Sequence, residues 1–256
     1  MSYMSSTNFE RRGLFKRQYL TFAGKSSKDF LLYLSAPGVY NAPEVDAELT
    51  AVPGKNGDII TENAKRGQRR YKNLDITYEA FFFDGLPART ADVKSWLLSP
   101  VGYQKLQDTY DPEFFRMATC VSALEFEPTK NHKGARMELV FHCQPQRWSV
   151  AGQHKVRMNA PGILRNPYAF HAKPLIRVYG TGEGDFYVGD SRIHIFSFTG
   201  GYVDLNCETH NAYNSSGFCN QTIQSGDFPT LAPGKNRIAW SGGITAVEIT
   251  PRWWTL

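Results

Sequence analysis

Residues 72–83 alternate, with Leu74, Ile76 and Tyr78 set against Asp75, Thr77 and Glu79. A period of two over that length predicts a strand with one buried face. Upstream, 46–71 reads as strand, turn, strand and then a basic loop. Within it, Val52-Pro53-Gly54-Lys55-Asn56-Gly57-Asp58-Ile59-Ile60 holds an Asn-Gly pair that tolerates positive φ and signals a tight turn. The period changes after Pro87, where Val93, Trp96 and Leu97 form a helical stripe. Thr90 is the expected N-cap, Asp92 lies in the first turn where the helix dipole favours a carboxylate, and Ser99-Pro100-Val101-Gly102 ends the element. Strands are then predicted at 103–107 and 114–118 around Asp111-Pro112, and at 137–143 after the turn-prone 131–134.

The pattern weakens after Gln144-Pro145-Gln146-Arg147-Trp148, which places a domain boundary close to 149 and predicts domains 1–149 and 150–256. About twenty-five less regular residues follow, with Pro161-Gly162, Asn166-Pro167 and Lys173-Pro174 among them. Short alternating strands are then expected at 175–179, 186–188, 192–198, 202–207, 237–240 and 244–250. Gly180-Thr181-Gly182-Glu183-Gly184 reads as a hairpin turn between the first two, and Gly242-Gly243 as a turn between the last two. Short strands with turns and no helical period indicate an antiparallel sandwich or jelly roll.

Composition supports a β-rich globular chain. Of 256 residues, 41% are hydrophobic and 21% charged, and the aromatic share of 14% with 22 Gly and 14 Pro favours strands and turns. No apolar run approaches the roughly 18 residues that span a bilayer. The opening twenty residues lack the apolar core of a secretory signal, so no export address of the usual kind is expected. The net charge of +5 is mild for this length and does not by itself point to nucleic acid. Four scattered cysteines do not make a disulfide scaffold, and a reduced chain made inside the cell is the simpler expectation.

Candidate chemistry is sparse. Cys207, His210 and Cys219 could give three zinc ligands, but a structural site needs a fourth and the usual knuckle spacing is missing. His142-Cys143 fits a strand with the thiol inward and the imidazole outward. No Gly-x-Ser-x-Gly, phosphate-binding loop, dinucleotide fingerprint or His-Glu-x-x-His is present, and no carboxylate pair stands out for glycoside hydrolysis. No catalytic activity, cofactor or metal is expected.

Two features bear on assembly. Lys65, Arg66, Arg69, Arg70 and Lys72 put five positive charges into eight residues, either as a wet loop or as a contact with phosphate or an acidic neighbouring subunit. Trp253 and Trp254 are adjacent, so on a strand one should enter the core and the other cover a second surface, belonging to another domain or subunit if it is not an ordinary core strand.

Several segments in order resemble the distal tail proteins of long non-contractile-tailed bacteriophages: the run from Val52 to Ile60, the strand 71–83, the helix at 93–98, Tyr103-Gln104-Lys105-Leu106, Phe114-Phe115-Arg116-Met117-Ala118 and Phe141-His142-Cys143-Gln144-Pro145. In the second half the similar segments are Asn166-Pro167, the stretch from Lys173 to Gly182, Phe228-Pro229, Leu231-Ala232-Pro233-Gly234-Lys235-Asn236 and Ile249-Thr250-Pro251-Arg252-Trp253-Trp254. The resemblance spans nearly the whole chain.

What the resemblance implies is a mostly β virion protein. Its first domain would be tail-tube-like with one helix, and its second a galectin-like β-sandwich. Six copies would form a hexameric ring by their N-terminal domains at the distal tip of the tail, after synthesis in the host cytoplasm. The expected partners are the tail tube protein, a tail-associated or baseplate hub protein and a receptor-binding or adhesion protein. DNA would pass through the ring without specific binding, and no membrane partner is expected. Lys65, Arg66, Arg69, Arg70 and Lys72 become the candidate subunit interface. The alternatives are a carbohydrate-binding protein acting directly on the host envelope and a β-rich glycoside hydrolase. The His–Asn–Arg cluster of sugar-binding galectins does not align here: Trp240 is followed by Ser241-Gly242-Gly243, and Arg192-Ile193-His194 lacks the Asn.

Overall fold

A computed structural model describes residues 18–37, 40–62 and 69–256. It forms two compact units that meet in sequence between Gln146 and Arg147.

The first unit contains β1 (Leu20–Phe22), β2 (Lys25–Ser26), β3 (Tyr33–Pro37), β4 (Ala47–Thr50), β5 (Ile59–Glu62), β6 (Leu74–Phe82), α1 (Leu86–Leu98), β7 (Gln104–Asp108), β8 (Phe114–Thr119), β9 (Glu127–Pro128) and β10 (Ala135–Cys143). An antiparallel sheet runs β2-β1-β7-β8-β10-β6-β3, with β9 added to β10. The alternation in β6 holds: Ile76, Tyr78, Ala80 and Phe82 are buried, while Asp75 and Glu79 face out. β10 matches it residue for residue from Ala135↔Phe82 to Cys143↔Leu74, burying Met137, Leu139, Phe141 and Cys143 on the same face. Its neighbour His142 points outward, as the alternation requires.

The helix is longer than its stripe suggested. It begins at Leu86 behind Gly85, whose φ of 75° and ψ of 29° mark the left-handed conformation that glycine adopts freely. Thr90 is therefore inside the helix and not its N-cap; its Oγ1 donates to Pro87 O at 2.9 Å. Pro87 explains the early start, because a proline in the first turn sacrifices no helical hydrogen bond. Val93, Trp96 and Leu97 are buried as expected. Trp96 stacks on Phe30 at 4.5 Å and its Nε1 donates to Phe22 O at 3.0 Å, which fastens the helix to β1.

The second unit contains β11 (Arg147–Ser149), β12 (Val156–Met158), β13 (Gly162–Asn166), β14 (Leu175–Val188), β15 (Ser191–Ile195), β16 (Tyr202–Asn206), β17 (Asn211–Asn214), β18 (Gly217–Phe218), β19 (Ile223–Ser225), β20 (Gly234–Thr250) and β21 (Trp254–Thr255). Its sheet runs β12-β20-β14-β16-β17-β18, with β13 on β20, β15 on β14 and β19 on β15. The predicted hairpin turns at 180–184 and 242–243 are not turns. β14 and β20 each run straight through their glycines and pair along almost their whole length, from Leu175↔Thr250 to Val188↔Ile238. The register shifts at Tyr179/Gly180 and Gly180/Gly184, which is a β-bulge. A Cβ on Gly243 would overlap Thr181 O, and one on Gly180 would come within 2.7 Å of Gly243 O. Here glycine permits close backbone approach rather than chain reversal.

The bulge lets each long strand serve two neighbourhoods. Leu175–Tyr179 pairs with β16, whereas the 184–188 stretch pairs with β15; likewise the end of β20 pairs with β12 and its start with β13. Ile176, Val178, Phe186, Val188, Ile193, Val203, Ile238 and Ile249 from both halves meet in one core, the arrangement of a sandwich whose long strands cross between layers. Two buried asparagines tie its loops. Asn166 donates to Phe170 O and Leu231 O and accepts from Tyr168 N, and Asn236 bridges the backbone of Ala232 and Gly234.

Candidate assembly surfaces

Of the basic cluster, Lys65 and Arg66 lie outside the described residues. Arg69, Arg70 and Lys72 lie at the foot of the two-stranded arm formed by β4 and β5, and each meets a carboxylate of its own unit. Arg69 grips Glu62 through Nη2 at 2.9 Å and Nε at 3.3 Å, Arg70 Nε stands 3.6 Å from Asp46, and Lys72 Nζ stands 3.2 Å from Glu44. The pairing follows from backbone register: a bridge between Val45 and Tyr71, with hydrogen bonds Asp46 N→Arg70 O and Lys72 N→Glu44 O, lays the acidic and basic segments side by side. Such exposed pairs contribute about 0–1 kcal/mol each and chiefly orient the arm.

The arm also carries an apolar surface that has no periodic signal in the sequence. The register β4–β5 sets Leu49 opposite Ile60, on one face, and Thr50 opposite Ile59 on the other. Leu49 is 62% exposed and Ile60 59%, and Ile59 is also exposed. Residues 51–58 connect the strands, with Gly54 and Gly57 at positive φ, so the Asn-Gly pair lies within a longer loop. A hairpin of two four-residue strands is marginal alone in water, and burying a leucine or isoleucine side chain is worth about 1.5–3 kcal/mol.

A second apolar surface lies at the same end of the sheet. The arm foot leads through Asn73 into the start of β6, opposite the end of β10. There β8 ends beside His142 and Gln104 of β7 pairs with Ala118. Asn73 Nδ2 donates to Tyr103 Oη at 2.6 Å and approaches His142 Nε2 at 3.0 Å, while His142 Nδ1 meets Asp75 at 2.7 Å. Leu98 at the end of α1, Val101 (90% exposed), Tyr103 and Val121 are all exposed, and Tyr103 belongs to this network.

In the second unit, Asp185 accepts from Arg192 Nε at 2.8 Å and lies 2.8 Å from His194 Nδ1. The hydrogen bond from Arg192, and then that from His194, hold the Asp185 carboxyl below the usual carboxylate range against the opposing effect of burial. Phe196 stands edge-on to His194 at 4.6 Å and is half exposed. On the other side of the β14 bulge, Arg177 Nε and Nη2 donate to Asp204 Oδ1 and Oδ2, both at 2.7 Å, with the guanidinium over the Tyr202 ring.

The remaining candidates are packing features. Cys207 and Cys219 are buried and His210 stacks on Phe228, and among the described residues no three His, Cys, Asp or Glu side chains could hold a metal. Burial pushes the thiols of Cys143 and Cys207 up to about 12. Trp253 enters the core. Trp254 is partly buried, stacks on Phe170 at 4.4 Å and donates to His171 O at 2.9 Å. No described helix is long and apolar enough to cross a membrane.

The chain is thus a mostly β protein of two units, with one α-helix among the described residues. Its fold is that of the distal tail hub protein of phage SPP1, solved as "Crystal Structure of SPP1 Dit (gp 19.1) Protein, a Paradigm of Hub Adsorption Apparatus in Gram-positive Infecting Phages": the TM-score is 0.72 at 14% identity over 94% of this chain and 100% of that one. Chains of the phage P2 baseplate in its activated conformation with Ca or Sr align with TM-scores of 0.48 and 0.47 at 8% identity, covering 92% and 91% of this chain and 97% and 98% of theirs. No family model and no curated protein matches the sequence.

Proposed function

We propose that this chain is a phage structural protein, the hub at the distal end of a tail, in which six copies close into a ring through their first units and join the tail tube to the baseplate and its adhesion proteins. The single observation that carries the proposal is the alignment with the SPP1 hub protein over the whole of that chain at a TM-score of 0.72. The exposed arm and the apolar surface at the same end of the sheet support it, because a closed ring needs two unlike, complementary patches on every copy. The work of such a protein is shape and contact: it binds neighbours, leaves a passage for DNA and catalyses nothing. Its place is the virion. The cation cluster steadies the foot of the arm, with Arg69, Arg70 and Lys72 as the described members of the interface.

Negative-stain microscopy and native mass spectrometry of the purified protein, alone and mixed with its tail neighbours, test this. Six-fold rings are the expected result, and a persistent monomer under every condition overturns it.

One observation favours a second reading, direct binding of host-surface carbohydrate: the half-exposed Phe196 ring beside Arg192 and His194, both fixed by Asp185, offers a stacking surface next to oriented donors. Cell-wall glycan binding that disappears in Phe196→Ala would establish it; no binding by the full chain removes it.

A further inference from the structure

The loop at the tip of the arm, residues 51–58, holds a pair of residues whose chemistry the fold leaves unguarded. Every residue from Pro53 to Ile60 is exposed. Lys55 N donates to Val52 O at 3.1 Å and closes one turn, and Asn56 and Gly57 follow it. Among the described residues neither the Asn56 carboxamide nor the Gly57 N–H has a hydrogen-bond partner. Gly57 has a φ of 83°, whereas Asn56 is not left-handed, so the pair does not form the tight type I′ reversal of a two-residue hairpin. A Cβ built on Gly57 would meet nothing within 4 Å. The Gly57 nitrogen is therefore open to approach from the preceding side chain.

That nitrogen can attack Asn56 Cγ. The N–Cγ bond forms, the Cγ–Nδ2 bond breaks, and the proton of Gly57 N passes through water to the leaving nitrogen, which departs as ammonia. The product is a succinimide. Water then opens it on either side: at Cγ to give aspartate, or at the Asn56 backbone carbon to give isoaspartate, with the main chain rerouted through Cβ. Nothing is oxidised or reduced, and water is the only co-reactant. Glycine favours the step because it sets no side chain beside the attacking nitrogen and lets the backbone turn freely.

The other candidates for the same chemistry are held. Asn214, before Ser215, lies at the end of β17, and its Oδ1 accepts from Ser216 N at 2.9 Å. Asp84 precedes Gly85, but its carboxylate is gripped by Arg89 at 2.9 Å. We infer that Asn56 is a site of spontaneous deamidation in the native protein, converting through Gly57 N to aspartate and isoaspartate. This stands apart from the ring proposed above. Each event places a new carboxylate two residues from Asp58, and the exposed tip of the arm becomes more acidic as the protein ages.

Incubating the full chain in warm, mildly alkaline buffer, native and in urea, and mapping its peptides by fragmentation mass spectrometry tests this. Native Asn56 should convert within about three-fold of its rate in urea, as expected where no hydrogen bond has to break first. Isoaspartate should accompany aspartate, Asn214 should keep its amide in the native sample, and Gly57→Ala should slow the loss at Asn56 several-fold. An Asn56 that stays intact in the native protein while converting in urea overturns the inference. Aspartate without isoaspartate, or a rate indifferent to Gly57→Ala, overturns the route through the ring nitrogen. Equal loss at Asn56 and Asn214 in the native protein shows that the fold does not select the site, and overturns it too.

Discussion

Glu138 stands directly opposite Glu79 across the β6–β10 ladder, with both carboxylates on the exposed face and Ser35 Oγ donating to Glu79 Oε2 at 3.2 Å. Like charges opposed on an antiparallel pair destabilise it by about 0.2–1 kcal/mol. Glu138→Gln should therefore raise the denaturant midpoint of the protein, with Glu138→Lys raising it further. The gain should shrink at high salt, since exposed charges are screened within about 10 Å at 0.1 M. Equal midpoints for Glu138→Gln and wild type at low salt would show that the pair carries no repulsion.

The two-pronged contact between Arg177 and Asp204 predicts an asymmetric mutational response. Asp204 is nearly buried and Arg177 is about one-third exposed. The hydrogen bonds to Asp204 hold the guanidinium further above its ordinary value. Asp204→Asn should cost about 1–3 kcal/mol, the range for a hydrogen bond to a charged group left with a poorer partner. Replacing both residues, Arg177→Met with Asp204→Leu, should cost less than the single change. Urea titrations of the wild type and the two variants measure it, and a double variant destabilised as much as Asp204→Asn or more would contradict it.

Asp185 introduces a pH dependence. Its folded carboxyl is held below its unfolded value, about 3.9, by Arg192 and His194. A depressed carboxylate contributes stability that is complete above the unfolded value and lost as pH falls through the folded one. Unfolding free energy of the second unit should therefore fall on acidification below about pH 4, with a shallower fall in Asp185→Asn. Superimposable profiles between the two would rule out this contribution.

The bulge separates two glycines by mechanism. At Gly243 an added methyl overlaps Thr181 O, so Gly243→Ala should destabilise by about 1–3 kcal/mol through overpacking. Gly182 faces open space but has a φ of 69°, so Gly182→Ala should cost about 1–2 kcal/mol from backbone strain alone. Asparagine tolerates the left-handed region, and Gly182→Asn should recover part of that loss while Gly243→Asn recovers none. Thermal melts of the four variants give the comparison.

The legible parts of the fold were those written in neighbouring residues. β6 and the buried stripe of α1 follow from where apolar residues recur, because each side chain's face is set by local geometry. β14 and β20 were misread for an equally physical reason. A glycine relieves strain in a turn and equally permits a close backbone approach in a bulge. Gly243 is the second kind only because Thr181, sixty-two positions earlier, lies against it. The basic cluster shows the same limit: Arg69, Arg70 and Lys72 were visible as charges, but their carboxylate partners depend on the Val45–Tyr71 bridge. Leu49 and Ile60 gave no signal at all, since a four-residue strand is too short to display a period.

By itself the sequence determined a β-rich chain with one helix, the buried faces of its longest alternating segments, and a resemblance spread across both halves. Only the tertiary structure decided which glycines bend strands, which cations are already paired, and which apolar side chains stay open to a neighbour. The division is physical: the direction of a side chain follows from its own backbone, whereas its burial depends on what distant segments bring against it, and for Leu49 and Ile60 the described part of the chain brings nothing.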